Sequence, residues 1–168
     1  MKGVVETQYQ LTANDRVSLN YSYTSAWYVD MPQDFTTFVA TDRPWGVPTR
    51  TGNVSYDRSF HLPGDSRLNA RAAARYIGPY DANRLAVNPV RMAAGAGPWI
   101  HTDTEWMGDL TATWTSADDH YSISGYVRNV TDNRFKTNVD IQSNTPSQGT
   151  TAVLYDPRTY GVVFTTNF

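Results

Sequence analysis

Seven stretches of this chain alternate apolar and polar residues with a period of two: roughly 3–12, 17–29, 51–60, 66–77, 105–115, 120–130 and 152–168. Side chains of a strand point to opposite faces in turn, so each stretch predicts a strand with one apolar and one polar side. The connections alternate as well. Ala13-Asn-Asp-Arg16, His61-Leu-Pro-Gly-Asp65 and Ser116-Ala-Asp-Asp119 are short, whereas 30–50, 78–104 and 131–151 are long. Short links rich in Asn, Asp, Pro and Gly read as hairpins. The strands therefore form an antiparallel meander with its short turns at one end. One segment admits a second reading. Leu68-Asn-Ala-Arg-Ala-Ala-Ala-Arg75 is rich in helix formers, and a helix would put Arg71 and Arg75 on one face.

The faces of the seven stretches differ in charge. One stripe, centred on Leu19, Tyr56, Ala72, Leu110, Ile123 and Val162, carries a single charge, Arg58. The interleaved positions carry Glu6, Asp57, Arg67, Arg71, Arg75, Asp109 and Arg128. An arginine or lysine facing lipid at mid-depth costs ~2–4 kcal/mol, so a wall against hydrocarbon enforces such a division. Arg58 lies near a strand end, where a long side chain reaches the interface. The last stretch, Thr159-Tyr-Gly-Val-Val-Phe-Thr-Thr-Asn-Phe168, keeps its alternation up to a final aromatic. Chain ends of soluble domains usually fray, whereas the final strand of a barrel closes a wall. Alternating short and long connections are those of a barrel with tight periplasmic turns and long outer loops. The expected fold is all-β: an antiparallel transmembrane β-barrel segment of about seven strands, a curved meander forming a partial barrel with open edges.

Composition agrees. Charged residues make up 18% of the chain, against about 25% in ordinary soluble domains. Aromatics reach 13%, with Tyr 11 and Trp 5. No apolar run approaches the ~18 residues of a membrane-spanning helix. A net charge of −2 offers no basic patch for nucleic acid. The absence of Cys removes disulfides and thiolate metal sites. Gly3-Val-Val-Glu6 is no secretory apolar segment and no cleavage site follows it. That is expected of a fragment or of a mature numbering.

Ser122-Ile-Ser-Gly-Tyr-Val-Arg-Asn129-Val-Thr131-Asp132-Asn, then Asp156-Pro157-Arg158-Thr-Tyr160-Gly161 and a terminal Phe168, resembles the end of the TonB-dependent outer-membrane receptors. In that family an Asn-[Val/Leu]-Thr-Asp element closes the penultimate strand and a Pro-Arg-x-[Tyr/Phe]-Gly element opens the last. The resemblance extends over nearly the whole chain. It implies that residues 1–168 are a C-terminal portion of a 22-stranded barrel domain, without the plug domain and without the energy-coupling segment. It further implies import of scarce nutrients such as ferric siderophores, an outer-membrane location and no transport by this portion alone. The partners implied are outer-membrane lipid, the remainder of the receptor (plug and other strands), the barrel-assembly machinery and the TonB system. Tyr160, Gly161, Phe164 and Phe168 would carry the barrel-assembly signal.

Other candidates are weaker. Arg67, Arg71 and Arg75 form a cationic row that faces the lumen, either steering anionic or metal-chelate cargo or pairing with carboxylates such as Asp57. Trp27, Tyr28, Tyr76 and Trp106 fall near outer strand ends, where an interfacial aromatic girdle belongs. Asn129 and Asp132 suit a strand end closed by side-chain-to-backbone bonds. His61, His101 and His120 lie in three separate connections without metal spacing, and no Ser, His and Asp are organised for nucleophilic chemistry. No enzyme, catalytic residue, metal or cofactor is expected. Two other classes remain open. A small complete outer-membrane barrel or adhesin needs an eighth strand within 78–104, and a soluble carbohydrate-binding β-sandwich needs a second sheet over the apolar stripe.

Overall fold

The chain is described by a computed structural model over residues 2–27, 43–83, 97–141 and 150–167. Its strands are β1 (Lys2–Gln10), β2 (Asp15–Thr24), β3 (Arg50–His61), β4 (Arg67–Ile77), β5 (Tyr80–Asp81), β6 (His101–Thr102), β7 (Glu105–Thr115), β8 (Tyr121–Arg128), β9 (Lys136–Ile141), β10 (Thr150–Leu154) and β11 (Thr159–Thr166). One helical turn, α1 (Gly97–Ile100), precedes β6. Seven strands make one sheet in the order β1-β2-β3-β4-β7-β8-β11, while β5–β6 and β9–β10 are separate pairs. Every neighbour in the large sheet is antiparallel.

The register decides which residues share a face. A row of directly opposed residues crosses the whole sheet: Tyr9, Val17, Tyr56, Ala72, Leu110, Val127 and Tyr160. The next row is Gln10, Arg16, Asp57, Arg71, Thr111, Tyr126 and Gly161. Because alternate residues point oppositely, the first row belongs to an apolar face and the second to a polar one. The division expected from the sequence is thus a single continuous surface. The helical alternative for Leu68–Arg75 is excluded, since β4 is paired along its length with β3 and β7.

The apolar face has no covering layer among the described residues. Tyr9 is 66% exposed, Leu110 47% and Val162 74%. Two further charges join this face at its ends: β3 begins at Arg50, opposite Tyr23, and β2 begins at Asp15, opposite Arg58. Arg58 pairs with Asp15 at 3.4 Å, and Tyr56 and Thr12 donate hydroxyl hydrogen bonds to the same carboxylate. The Arg58 guanidinium also lies over the Phe60 ring, 5.0 Å from its centroid. The group is electrically neutral and sits at the short-turn end.

The three short turns are closed locally. Leu11 N–H bonds Asp15 O at 2.9 Å, Leu62 N–H bonds Ser66 O at 2.9 Å, and Ser116 N–H bonds Tyr121 O at 2.9 Å. Gly64, at φ +75°, takes the left-handed conformation that the second turn requires.

The long connections differ from plain loops. Ala82, Ile100 and Val139 form a buried apolar cluster with Tyr80 packed against it. Ala82 N–H bonds Ile100 O at 2.7 Å, and Val139 N–H bonds Ala82 O at 3.3 Å. Lys136 Nζ donates to the carbonyls of Pro98 and Trp99 at 3.1 and 3.0 Å. β5, β6, α1 and β9 are therefore tied into one small outer body, in segments too short for a periodic signal. The stretch 152–168, expected as one strand, divides into β10 and β11. Pro157 has no N–H for a ladder, Tyr155 N–H turns to Phe135 O at 2.9 Å, and the Arg158 amide is taken by Asp132 at 2.8 Å. The stretch 17–29 likewise ends as a strand at Thr24, whose amide bonds Thr49 O at 2.9 Å.

Ile100→Ala removes the most enclosed side chain of the outer body and is expected to destabilise it by about 2–5 kcal/mol. Amide exchange at Ala82 and Val139 should accelerate together, with the β4–β7 ladder unchanged. Independent exchange at the two amides would show that the segments are not one unit.

Candidate functional site

Two features of the polar side concentrate the chemistry: a set of arginines along the strands and a hydrogen-bonded turn after β8. Arg67, Arg71 and Arg75 stand on the polar face of β4, and each has a different partner. Arg67 pairs with Asp119 of the third short turn. Arg71 meets Asp57 at 3.2 Å and donates to Ser55 Oγ at 3.1 Å, while Arg16 approaches the same aspartate at 3.9 Å. Arg75 donates to the Tyr155 hydroxyl at 3.4 Å and has no carboxylate partner among the described residues. Exposed pairs of this kind add little stability, about 0–1 kcal/mol each. Their effect is to fix where positive charge remains. A further arginine, Arg128, lies over the Tyr126 ring at 5.0 Å. Spacing along the sequence gives no sign of it, because it lies on β8, a different strand from the row.

The turn following β8 is a latch. Asn129 and Asp132 both adopt φ +50°, a conformation asparagine and aspartate tolerate better than other side chains. Asn129 is buried, 3% exposed. Its amide group donates to Asn133 O at 2.9 Å and Asp156 O at 2.8 Å. Its side-chain oxygen accepts from Asn133 N–H and Thr131 Oγ1, both at 3.1 Å, and its backbone N–H donates to Asp109 Oδ1 at 2.9 Å. A buried amide so completely satisfied holds the chain in place. The structure thus brings Asn129, Thr131 and Asp132 together with Arg158, whose backbone N–H reaches Asp132. Pro157 lies beside them in the linker between β10 and β11. The Asp132 carboxyl is held below its usual range, first by the Arg158 backbone N–H and then by the Arg134 guanidinium.

On β11, Tyr160 is 80% exposed and Phe164 61%. Phe164 stacks on Tyr121 at 6.2 Å between centroids. Gly161 is on the polar face, and a Cβ there would sit 2.6 Å from the Tyr126 hydroxyl oxygen and 2.8 Å from Cζ. The missing side chain leaves room for the Tyr126 ring beneath Arg128. Phe168 lies outside the described residues, as does Tyr28. Of the other aromatics, Tyr76 and Trp106 meet at 5.0 Å at the long-loop end of β4 and β7, and Trp27 is exposed beyond β2. His101 faces Asp81 at 3.1 Å and His120 faces Asp118 at 3.5 Å. Among the described residues no three His, Asp or Glu side chains gather as a metal-holding group.

No protein-family model matches the chain, and no curated protein sequence matches it. Solved structures do. The chain superposes on the crystal structure of the ferric yersiniabactin uptake receptor FyuA from Yersinia pestis with a TM-score of 0.72 and 18% identity, over 98% of its own length and 23% of that receptor. It also superposes on BauA, the ferric preacinetobactin receptor from Acinetobacter baumannii, with a TM-score of 0.66 and 12% identity, over 97% of its length and 21% of that receptor. The chain therefore spans less than a quarter of either structure. At these identities the likeness is one of fold: an antiparallel sheet that matches part of the β-barrel of both receptors.

Two outcomes test this geometry. Gly161→Ala forces the Tyr126 ring off its seat and should cost about 1–3 kcal/mol, with a smaller loss when Tyr126→Ser is added; equal losses with and without the second change would refute the contact. A depressed carboxyl pKa contributes stability above its unfolded value, and that contribution disappears as pH falls through the folded value. The Arg158 amide resonance should therefore titrate with a midpoint below 3.8, the ordinary aspartate value, and Asp132→Asn should abolish that titration.

Proposed function

We propose that this chain is a wall segment, a C-terminal portion of the barrel domain, of an outer-membrane receptor that takes up scarce nutrients such as ferric siderophores. The observation that carries the reading is the continuous apolar face, registered across seven strands and without a covering layer among the described residues. Such a surface is far larger than the few hundred Å² that soluble monomers tolerate. In hydrocarbon it is the favourable side, and the antiparallel ladders pair the backbone from strand to strand, as a wall in lipid requires. The fold shared with two ferric-siderophore receptors supports the uptake role.

In this reading the strands separate lipid from an aqueous lumen, and the outer body built from β5, β6, α1 and β9 presents the cargo side. Tyr76, Trp106 and Trp27 anchor the wall at the outer interface. The exposed edges of β1 and β11 pair with the remaining strands of the receptor, and the plug and the TonB system act through that remainder. Tyr160, Gly161 and Phe164 would present β11 to the barrel-assembly machinery. Arg58 and Asp15 neutralise one another near the periplasmic end of the lipid side, and Arg50 stands at the opposite end of β3, where a long side chain reaches the outer interface.

The test is fractionation of the exported chain within its intact receptor. Leu110→Arg, in the centre of the apolar row, should lower folding stability in lipid vesicles by about 2–4 kcal/mol and reduce the outer-membrane yield. Thr111→Arg, one residue away on the polar row, should do neither. Equal tolerance of both, or recovery of the chain in the soluble fraction, would overturn the membrane reading. Unimpaired growth on ferric chelates after deletion of the coding region would overturn the uptake role.

A further inference from the structure

The polar face contains a cavity of roughly 260 Å³ at its long-loop end, between β3, β4, β7 and β8. Asn53, Arg71, Arg75, Asp109, Thr111 and Arg128 line it. Three arginines thus line a space that contains one carboxylate, and that carboxylate already accepts the Asn129 N–H at 2.9 Å. Arg71 is partly committed to Asp57. Arg75 and Arg128 are not. Among the described residues neither lies within ion-pair distance of a carboxylate; one touches a phenol at 3.4 Å and the other stacks on a ring at 5.0 Å. Stacking occupies the face of the Arg128 guanidinium and leaves its in-plane N–H groups for an acceptor.

We propose that this cavity is a binding site for a small polyvalent oxyanion, a di- or tricarboxylate or a phosphate, held between Arg75 and Arg128 with Arg71 behind them. The planar guanidinium fork matches carboxylate and phosphate oxygens, and charge-assisted bonds to it are about twice as strong as neutral ones. The Asn53 amide and the Thr111 hydroxyl can donate to remaining oxygens. Size limits the occupant. Pockets for drug-sized ligands begin at about 300 Å³, so the cavity suits a compact anion or one charged arm of a larger molecule. The site differs from a row along β4, because Arg67 is committed to Asp119 and Arg128 comes from β8. It goes beyond the uptake reading and does not depend on it, since the cavity is defined on the polar face whatever bathes the other side.

The test is calorimetric titration of the intact protein that carries this segment, purified in neutral detergent micelles at low ionic strength, with citrate in one arm and inorganic phosphate in the other. Saturable one-to-one binding in at least one arm is expected, and comparison of the arms identifies the preferred oxyanion. Arg75→Gln with Arg128→Gln should weaken it by at least about tenfold, and Arg67→Gln should leave it unchanged. Asp109→Asn keeps the acceptor for the Asn129 N–H but removes the opposing charge, so affinity should rise several-fold. That gain cannot arise from misfolding. Absence of saturable binding in both arms, equal weakening by Arg67→Gln, or no gain from Asp109→Asn would overturn the proposal. Failure of the chain to enter membranes would overturn the uptake reading alone.

Discussion

Everything in this molecule depends on the register of six antiparallel pairings. A slip of one residue in any of them would send the whole apolar set of a strand to the polar side. With the register kept, Val17, Tyr56, Ala72, Leu110 and Val127 fall in line on one surface and Arg16, Asp57, Arg71 and Thr111 on the other. The polar partners reinforce that alignment. Arg71 can meet Asp57, and Thr113 Oγ1 can meet Ser124 Oγ at 2.8 Å, only because those residues are directly opposed. The same condition joins Asp15 to Arg58 on the apolar side. Hydrogen bonding and charge pairing select one alignment, and the hydrophobic pattern gives that alignment its two distinct surfaces.

A consequence is that the large sheet has almost no interior of its own. The fully enclosed apolar side chains, Ile100 and Val139, belong to the outer body instead. Ordinary small domains derive most of their stability from one buried core. Here the wall holds through its ladder and whatever medium covers its apolar side, while the outer body has a core in miniature. The two parts thus have different sources of stability. The latch at Asn129 belongs to the wall, since one asparagine side chain ties the turn after β8 to the linker that leads into β11.

The strands were legible because period two over eight or more residues is hard to mistake, and the faces followed from the same alternation. Less legible were elements whose partners are remote. Lys136–Ile141 has little apolar contrast, and β5 and β6 are two residues each. The break at Tyr155–Arg158 was masked because Val153 and Leu154 lead straight towards a further alternating run; the Pro157 position marked it locally. Arg75 and Arg128 are separated by 53 positions in sequence, and only the pairing of β4 with β7 and of β7 with β8 places them around one cavity. A row of arginines on one strand was visible from spacing, whereas a cluster across strands needed the sheet.

Strand polarity imposes a rule of arithmetic on assembly. With seven alternating members, β1 and β11 run in the same direction. Rolling this sheet shut would juxtapose two co-directional edges, and so would joining copies that entered a bilayer with the same orientation. A seamless cylinder of up-and-down strands is obtained only when an odd number of further strands is interposed. Among the described residues the borders of this sheet are therefore suited to an odd-numbered complement of further strands and ill suited to each other.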